Sequence, residues 1–505
     1  MLALFLLPAE LWRDNILAFF SLKDMSRAFE AFSNHHLQRT FQELTFGHTT
    51  KSILILLQAG KAEKLKWCLA RNILPGDVNI WNDMDWQIAS LSSEICARAT
   101  KLSFFFVAQI SQPIRCARLR SLYLLKCNIR SLENLLVFPN LAELYLDECS
   151  EITIEKLLEQ LAECTQLERC TIDNCELIHD KAISFILNHC TRLKSLNLRA
   201  ARLQRFNLSS IFAACNHPKK ISLRSLALRD CTVSSAGWRQ LAIYAPLLQS
   251  FQLSGSGSDI YNADVEFMVQ QCSHFTDLAL DSCNYLDNAA IDTIVRYLPR
   301  LEQFRMSSCG AVDDDGVVAL AKGCLQLTKL DISFCNSVTN AAVQQVLLNC
   351  VLLVTLNVSG CQQITDAAFD GRTTTVLREL DVSSTKVTGS FLRQTPLLST
   401  LYCNDCSLLN SELVQILTTT RHALKMLSLN KTRLSAADFL ILSLHLPLAE
   451  NVGVGESEAN DEVITSLVAN CPRLFWIYAK GCAAVSSAKV RELELAQARK
   501  LCITM

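Results

Sequence analysis

One nine-residue phrase, L-x-x-L-x-L-x-x-C with tolerated replacements, recurs fifteen times between Leu119 and Cys482. The copies begin at Leu119, Leu141, Leu167, Leu193, Leu223, Leu248, Phe275, Leu301, Leu327, Leu353, Leu377, Leu398, Leu424, Leu448 and Leu474, and most steps are near 26 residues. A fixed period of this size marks a chain of stacked units, none of which can bury its apolar side alone. Stacked units share one continuous core. The 505 residues therefore need not divide into the roughly three domains that length alone suggests. A stack presents a long surface and seldom a cleft, so binding is expected rather than catalysis.

The copy Leu327-Thr-Lys-Leu330-Asp-Ile332-Ser-Phe-Cys335 shows what one unit builds. Leu330 and Ile332 alternate with polar neighbours, the period of a strand with one buried face. A polar turn follows, and Asn340 is expected to cap a helix over 341–348, with Asp180, Asp287, Asp366 and Asp461 as equivalent caps. Cys350 closes the helix and Leu353 opens the next strand. The expected fold class is α/β: a leucine-rich repeat solenoid of about fifteen repeats, parallel sheet on the concave face, helices on the convex face.

The 23 cysteines sort onto this frame. Ten end the strand phrase (Cys127, Cys149, Cys175, Cys231, Cys283, Cys309, Cys335, Cys361, Cys406 and Cys482), and seven close the helical half (Cys164, Cys190, Cys215, Cys272, Cys324, Cys350 and Cys471). A small, weakly polar side chain recurring at one position is a packing residue, so buried thiols are expected, not disulfides. The lone C-x-x-C, Cys403 with Cys406, has no second pair to complete a zinc site. No metal or cofactor is expected. So many free thiols imply a reducing, cytoplasmic compartment. The net charge of −1 and the lack of a basic run argue against nucleic acid as a partner. No apolar run reaches 18 residues, so no membrane insertion is expected.

The strand-end cysteine, the Ile364-Thr365-Asp366 cap and the second cysteine before the next strand together resemble the cysteine-containing subfamily of leucine-rich repeats. The likeness is strongest from Phe275 through Cys361. It weakens where Ala201, Ser256, Thr385, Thr432 and Glu456 stand at the strand end. Ahead of the repeats, Leu7-Pro8-Ala-Glu10-Leu11 opens a short helical segment continued by Ile16-Leu17 and Leu22-Lys-Asp-Met25. This segment resembles an F-box. It departs from the F-box pattern in a Pro8-to-Ile16 spacing one residue longer than usual, and in Phe29-Glu-Ala-Phe32 where a Val-Cys-x-x-Trp-like end would stand. F-boxes joined to such repeats form a family of ubiquitin-ligase substrate receptors. By position, the resemblance implies that Leu7, Pro8, Leu11, Ile16, Leu17 and Leu22 dock a Skp-type adaptor and, through it, a cullin. Two other settings stay open: a scaffold or inhibitor whose first helices only cap the stack, and a bacterial effector that borrows a host's ubiquitin machinery.

Four segments result: 1–46 F-box-like, 47–115 a helical or irregular connector with a helix over 52–57, 116–485 the solenoid, and 486–505 a helical cap. The short tail leaves no room for the separate catalytic-cysteine domain of leucine-rich effector ligases. No phosphate-binding, dinucleotide, H-E-x-x-H or G-x-S-x-G motif occurs, so the chain is expected to be non-catalytic. The residues flanking the buried strand leucines point to the open face. Among these, Trp476 and Tyr478, with Tyr402, are expected to hold a protein substrate. Tyr145 and an acidic patch of Asp147 and Glu148, suited to a basic peptide, are the second choice, and Arg305 lies on the same stripe.

Overall fold

The computed structural model describes nearly all of residues 222–504, with breaks at 232, 255–258, 371–375, 421–422 and 497–500. Upstream it describes strand, turn and helix segments within 100–213, and the strands Ile55–Leu57 and Asp77–Trp81. The F-box-like segment 1–46, with Leu7, Pro8, Leu11, Ile16, Leu17 and Leu22, lies outside the described residues, as do Ala201 and Ser256. The chain forms two compact units, residues 1–206 with 210–223, and residues 207–209 with 224–505. Both have the architecture of an α/β leucine-rich repeat solenoid.

In the first unit seven strands run parallel in sequence order: Ile55–Leu57, Asp77–Trp81, Lys101–Phe105, Ser121–Leu125, Glu143–Asp147, Arg169–Asp173 and Ser195–Arg199. The register puts Asn79 opposite Ser103 and Ser103 opposite Tyr123, so the repeat extends upstream of Leu119. The helix expected over 52–57 is instead a strand at Ile55–Leu57, paired to Val78–Ile80. A short apolar run carries no period that separates helix from strand, and the neighbouring strand decides.

In the second unit twelve strands run parallel, from Ser225–Arg229 through Gln303–Arg305, Lys329–Asp331, Thr355–Asn357, Glu379–Asp381, Thr400–Tyr402, Met426–Ser428, Asn451–Gly453 and Trp476–Tyr478 to Cys502–Thr504. A helix follows most strands, as Asn288–Tyr297, Asp314–Gly323 and Asn340–Asn349 do. Where the step shortens, after Leu353 and Leu377, only the 3-10 turns Asp366–Phe369 and Ser390–Gln394 fit. A 3-10 turn uses fewer residues per turn. The tail, expected as a helical cap, forms the helix Ser487–Ala496 and then a further strand, Cys502–Thr504, which buries Leu501 and Ile503.

Two local readings are corrected. The helix caps sit one residue earlier than expected at several repeats: Thr339 caps Asn340–Asn349, Thr365 caps Asp366–Phe369, and Asn460 caps Asp461–Asn470. Asp287 is a cap as expected, and its side chain accepts the amide of Ala289 at 2.8 Å. The displaced residues have a different task, because the first helical residue reaches the cap of the next repeat. Asn288 does so to Asp313, Asn340 to Thr365, and Asp461 to Ser486. The fourteenth phrase starts at Ala449, not Leu448. Ala449, Val452 and Val454 are buried while Leu448 is half-exposed, so Ser457 rather than Glu456 occupies the strand-end position. Glu456 holds the turn before it, in a left-handed conformation.

That turn recurs. The residue before the strand-end position has positive φ in nearly every described repeat, from Lys126 and Glu148 to Lys431 and Glu456, mostly without glycine. A side chain there costs conformational energy. The exposed amide repays it by donating to the next repeat, as Ser308 does to Ser333 at 2.8 Å and Phe334 to Ser359 at 2.7 Å. The strand-end thiols are all buried, and several donate back to the preceding repeat, Cys335 to Met306 O at 3.3 Å, Cys361 to Ile332 O at 3.2 Å and Cys406 to Val382 O at 3.2 Å, while Cys175 and Cys283 donate to Asp173 O and Asp281 O of their own repeats. Where threonine stands, as at Thr432, the hydroxyl turns to its own strand and donates to Leu429 O.

Candidate functional site

The solvent face of each sheet is built by the residues that alternate with the buried leucines. In the first unit, Tyr123 and Tyr145 stack across neighbouring strands with ring centroids 5.6 Å apart, and Lys101 Nζ lies 4.4 Å from the centre of the Tyr123 ring. Arg169 Nε donates to Glu143 Oε1 at 3.1 Å. Burial pushes the Glu143 carboxyl up. The hydrogen bonds from Arg169, Tyr123 and Ser121 outweigh it and hold the group below its ordinary range. One strand position further, Asp147 stands opposite Asp173. Burial raises its carboxyl, and the charges of Asp173 and Glu148 raise it more. Glu148 itself is turned to the rim by its left-handed backbone and pairs with Lys126 at 3.3 Å.

In the second unit, Arg305 Nε is 2.6 Å from Asp281 Oδ2, so its guanidinium is committed within the sheet. Tyr402 Oη donates to Met426 Sδ at 3.2 Å. Trp476 and Tyr478 occupy the two ends of one strand with their rings edge-on, 6.2 Å apart. Trp476 Nε1 also donates to Thr504 Oγ1 at 3.0 Å, tying the last strand to the face. Tyr402 is three strands from this pair, about 14 Å at the usual strand spacing, so the fold does not place the three aromatics in contact. Glu379 and Met426 were missed by sequence reasoning. Their signal was available, since both stand two residues after a phrase-opening leucine, where the side chain faces out as surely as at Tyr402.

Among the described cysteines all but Cys502, which stands opposite Trp476, are buried away from this face. Burial pushes Cys272, Cys309, Cys324 and Cys361 up to about 12. Cys403 and Cys406 are both fully buried, and burial raises both. A thiol held protonated is neither a nucleophile nor a metal ligand at neutral pH. Among the described residues no group of three or more His, Cys, Asp or Glu is placed to hold a metal ion, and no helix is long and apolar enough to cross a membrane.

No protein-family model matches the chain, and no curated protein does. Solved structures do. Yeast Rad7, in a complex with Elc1, shares the fold over 70% of this chain and 84% of its own at a TM-score of 0.50 and 17% identity. TLR13 in complex with ssRNA13 matches over 80% of this chain and 69% of its own at a TM-score of 0.40 and 15% identity. The internalin InlF of Listeria monocytogenes matches over 75% of this chain and 86% of its own at a TM-score of 0.35 and 17% identity. At these identities the first likeness defines the fold class alone, a leucine-rich repeat solenoid.

Proposed function

We propose that the chain is a non-catalytic substrate receptor of a cullin-type ubiquitin ligase. In this reading the F-box-like residues Leu7, Pro8, Leu11, Ile16, Leu17 and Leu22 dock a Skp-type adaptor, and the solvent face of the repeats holds a protein substrate in a reducing cytoplasm. The observation that carries the receptor role is the division of labour within each repeat. Thiols and leucines are spent on the core, while the opposite side of the sheet carries charged, amide and aromatic side chains on many of its strands. Exposed tyrosine, tryptophan and arginine are the residue types that most often supply binding energy. The adaptor half rests on the F-box resemblance. The likeness to Rad7, a protein held in a complex, is consistent with it.

Co-purification tests both halves. The full chain, tagged and expressed in eukaryotic cells, is expected to capture a Skp-type adaptor and a cullin. Deletion of residues 1–46 should release both and leave the substrate bound. If the full chain never captures the adaptor and the deletion leaves every partner in place, the ubiquitin-ligase role is wrong.

A further inference from the structure

We propose that the solvent face of the second unit, between the strands Lys329–Asp331 and Trp476–Tyr478, docks a protein segment that presents arginine or lysine beside an apolar side chain. The proposal deepens the receptor reading above and rests on it. Its first basis is charge. Asp331, Glu379, Asp381 and Asp405 accept only neutral donors. Asp331 takes Asn357 Nδ2 at 3.1 Å and the Ser333 amide and hydroxyl, Glu379 takes Thr355 Oγ1 at 3.2 Å, Asp381 takes the Ser383 amide at 2.9 Å, and Asp405 takes Ser384 Oγ at 3.3 Å. Several acids elsewhere on this unit have cations of their own, as in Asp281 with Arg305, Glu450 with Lys425 and Glu456 with Lys431, although Asp277, set apart on an earlier strand, also takes neutral donors from Ser250 and Gln252. Lys329 is the one cation on the strands Lys329–Asp331, Thr355–Asn357, Glu379–Asp381 and Thr400–Tyr402, against three carboxylates, with Asp405 at the turn that follows.

The register sets Asp331, Asn357 and Asp381 in one row. Two strand spacings separate the two carboxylates by about 10 Å. That is too wide for one metal ion to bridge and well matched to successive basic side chains of an extended segment. Like charges so placed disfavour one another, and a cationic partner relieves the repulsion on binding. Burial raises the Asp381 carboxyl, and Asp331 and Glu379 raise it further, as expected of an acid without a counter-ion. Phosphate backbones are repelled by the same face, which leaves a polypeptide as the occupant.

The second basis is the apolar half next to it. Tyr402 follows Asp381 in the same row, with Met426 beside it on the next strand. Gly453 puts no side chain on the following strand, and the space above it is filled by the Ser428 hydroxyl and the Asn430 side chain, while Tyr478 lies across Gly455, where an added Cβ would come within 2.6 Å of its ring. The apolar surface beside the acids is the Tyr402 ring with the Met426 thioether against it. An arginine held by the acids can lay its guanidinium on the Tyr402 ring while its apolar neighbour rests on Met426.

The test uses the full chain and a fluorescein-labelled synthetic peptide alternating arginine with leucine, read by anisotropy. Its glutamate-for-arginine counterpart and a single-stranded RNA oligonucleotide serve as comparisons. The arginine peptide is expected to bind about tenfold or more tighter than either comparison, and D331N/D381N to weaken it about tenfold. K329E should tighten it severalfold, a gain that misfolding cannot produce. D292N/E462Q removes the same charge from exposed helix positions and should change nothing. Y402A/M426A should weaken the arginine–leucine peptide more than an arginine–glycine one. Equal losses in D331N/D381N and D292N/E462Q, no gain in K329E, or preference for the RNA would each overturn the proposal. In cells, wild type holding a protein partner that D331N/D381N holds equally well sinks this inference and leaves the receptor reading standing. A wild type that holds no partner through its repeats sinks the receptor reading instead.

Discussion

Asn288 and Asp313, the first helical residue of one repeat and the helix cap of the next, bind each other twice. Asn288 Nδ2 donates to Asp313 Oδ1 at 2.6 Å, and Asn288 Oδ1 accepts the Asp313 amide at 3.3 Å. The same Asp313 oxygen accepts the amide of Asp315 at 3.0 Å, so one carboxylate both caps its own helix and receives the neighbour. Asn262 with Asp287, and Asn340 with Thr365, repeat the link in the same unit. In a stack whose stability resides in nearest-neighbour interfaces, such links set how cooperatively repeats unfold. Asn288→Ala is expected to cost about 1–2 kcal/mol, the usual range for a lost cap plus a lost buried bond. Urea unfolding checks this: the midpoint should fall with little change in slope.

Gly316 explains itself through the same asparagine. It lies inside the helix Asp314–Gly323, where alanine ordinarily stabilises by about 0.5–1 kcal/mol. A Cβ built there would stand 2.4 Å from Asn288 Oδ1 and 3.0 Å from Ile291 Cδ1. Asn288 cannot swing away without breaking its double link to Asp313. Gly316→Ala should therefore destabilise the chain, and in the Asn288→Ala background the penalty should shrink or change sign. A double-mutant cycle reads that coupling directly.

The repeat, its strands and its thiols were legible because each rests on a period or a recurring residue type. What escaped were features with no residue identity to announce them. The left-handed turn before each strand-end position is filled by Lys126, Ser308, Phe334 and Glu456 alike, because what fixes it is an amide bonded to the next repeat. The fourteenth phrase slipped by one because Leu448 is the better leucine, while the pairing of Asn451–Gly453 with its neighbours puts Ala449 inside. The strands at 55–57 and 77–81 lack the full phrase and are recognised through their register. On the candidate face, sequence identified the outward aromatics. It could not show that Arg305 is already engaged by Asp281, or that Tyr402 stands apart from Trp476 and Tyr478.

Asp264 is the most enclosed carboxylate of the helical side, 1% exposed, and its oxygens are fully used. Oδ1 accepts Ser235 Oγ at 2.6 Å and Arg239 Nε at 2.9 Å, and Oδ2 accepts the Tyr261 amide at 3.1 Å, which joins two successive helices. Asp264→Ala leaves a hydroxyl and an amide without acceptors and an arginine without its anion. The expected loss is about 1–3 kcal/mol, that of buried polar groups left without acceptors, because the half-exposed Arg239 regains water. Arg239→Met instead leaves the enclosed carboxylate without its cation and should cost at least as much. Thermal melts of the two variants order them, and a clearly smaller loss for Arg239→Met would show that the Ser235 and Tyr261 bonds, not the ion pair, are what Asp264 supplies.

The thiol ladder makes stability depend on alkaline pH. Burial pushes Cys272, Cys309, Cys324 and Cys361 up to about 12, and Cys350 and Cys471 up to about 11, from an ordinary value of 9.0. Raised thiols keep their protons in the folded chain at a pH where the unfolded chain has released them. Above about pH 9 the unfolded state therefore binds fewer protons, and stability falls as pH rises. The contribution is intact below pH 9 and is lost progressively up to about 12. Urea midpoints should hold between pH 7 and 8.5 and drop steeply by pH 10.5. Lysines and tyrosines titrate nearby, so the decisive comparison is with Cys272→Ala/Cys361→Ala, whose dependence on pH should be shallower even though its stability at pH 7.5 is lower. Chemical labelling gives an independent reading. At pH 8, iodoacetamide should modify the exposed Cys502 first among the described cysteines, and the buried ladder only when urea opens the stack, as followed by peptide mass spectrometry. Early modification of Cys335 or Cys361 in the absence of urea would mean that the strand-end thiols are not sealed by their neighbours.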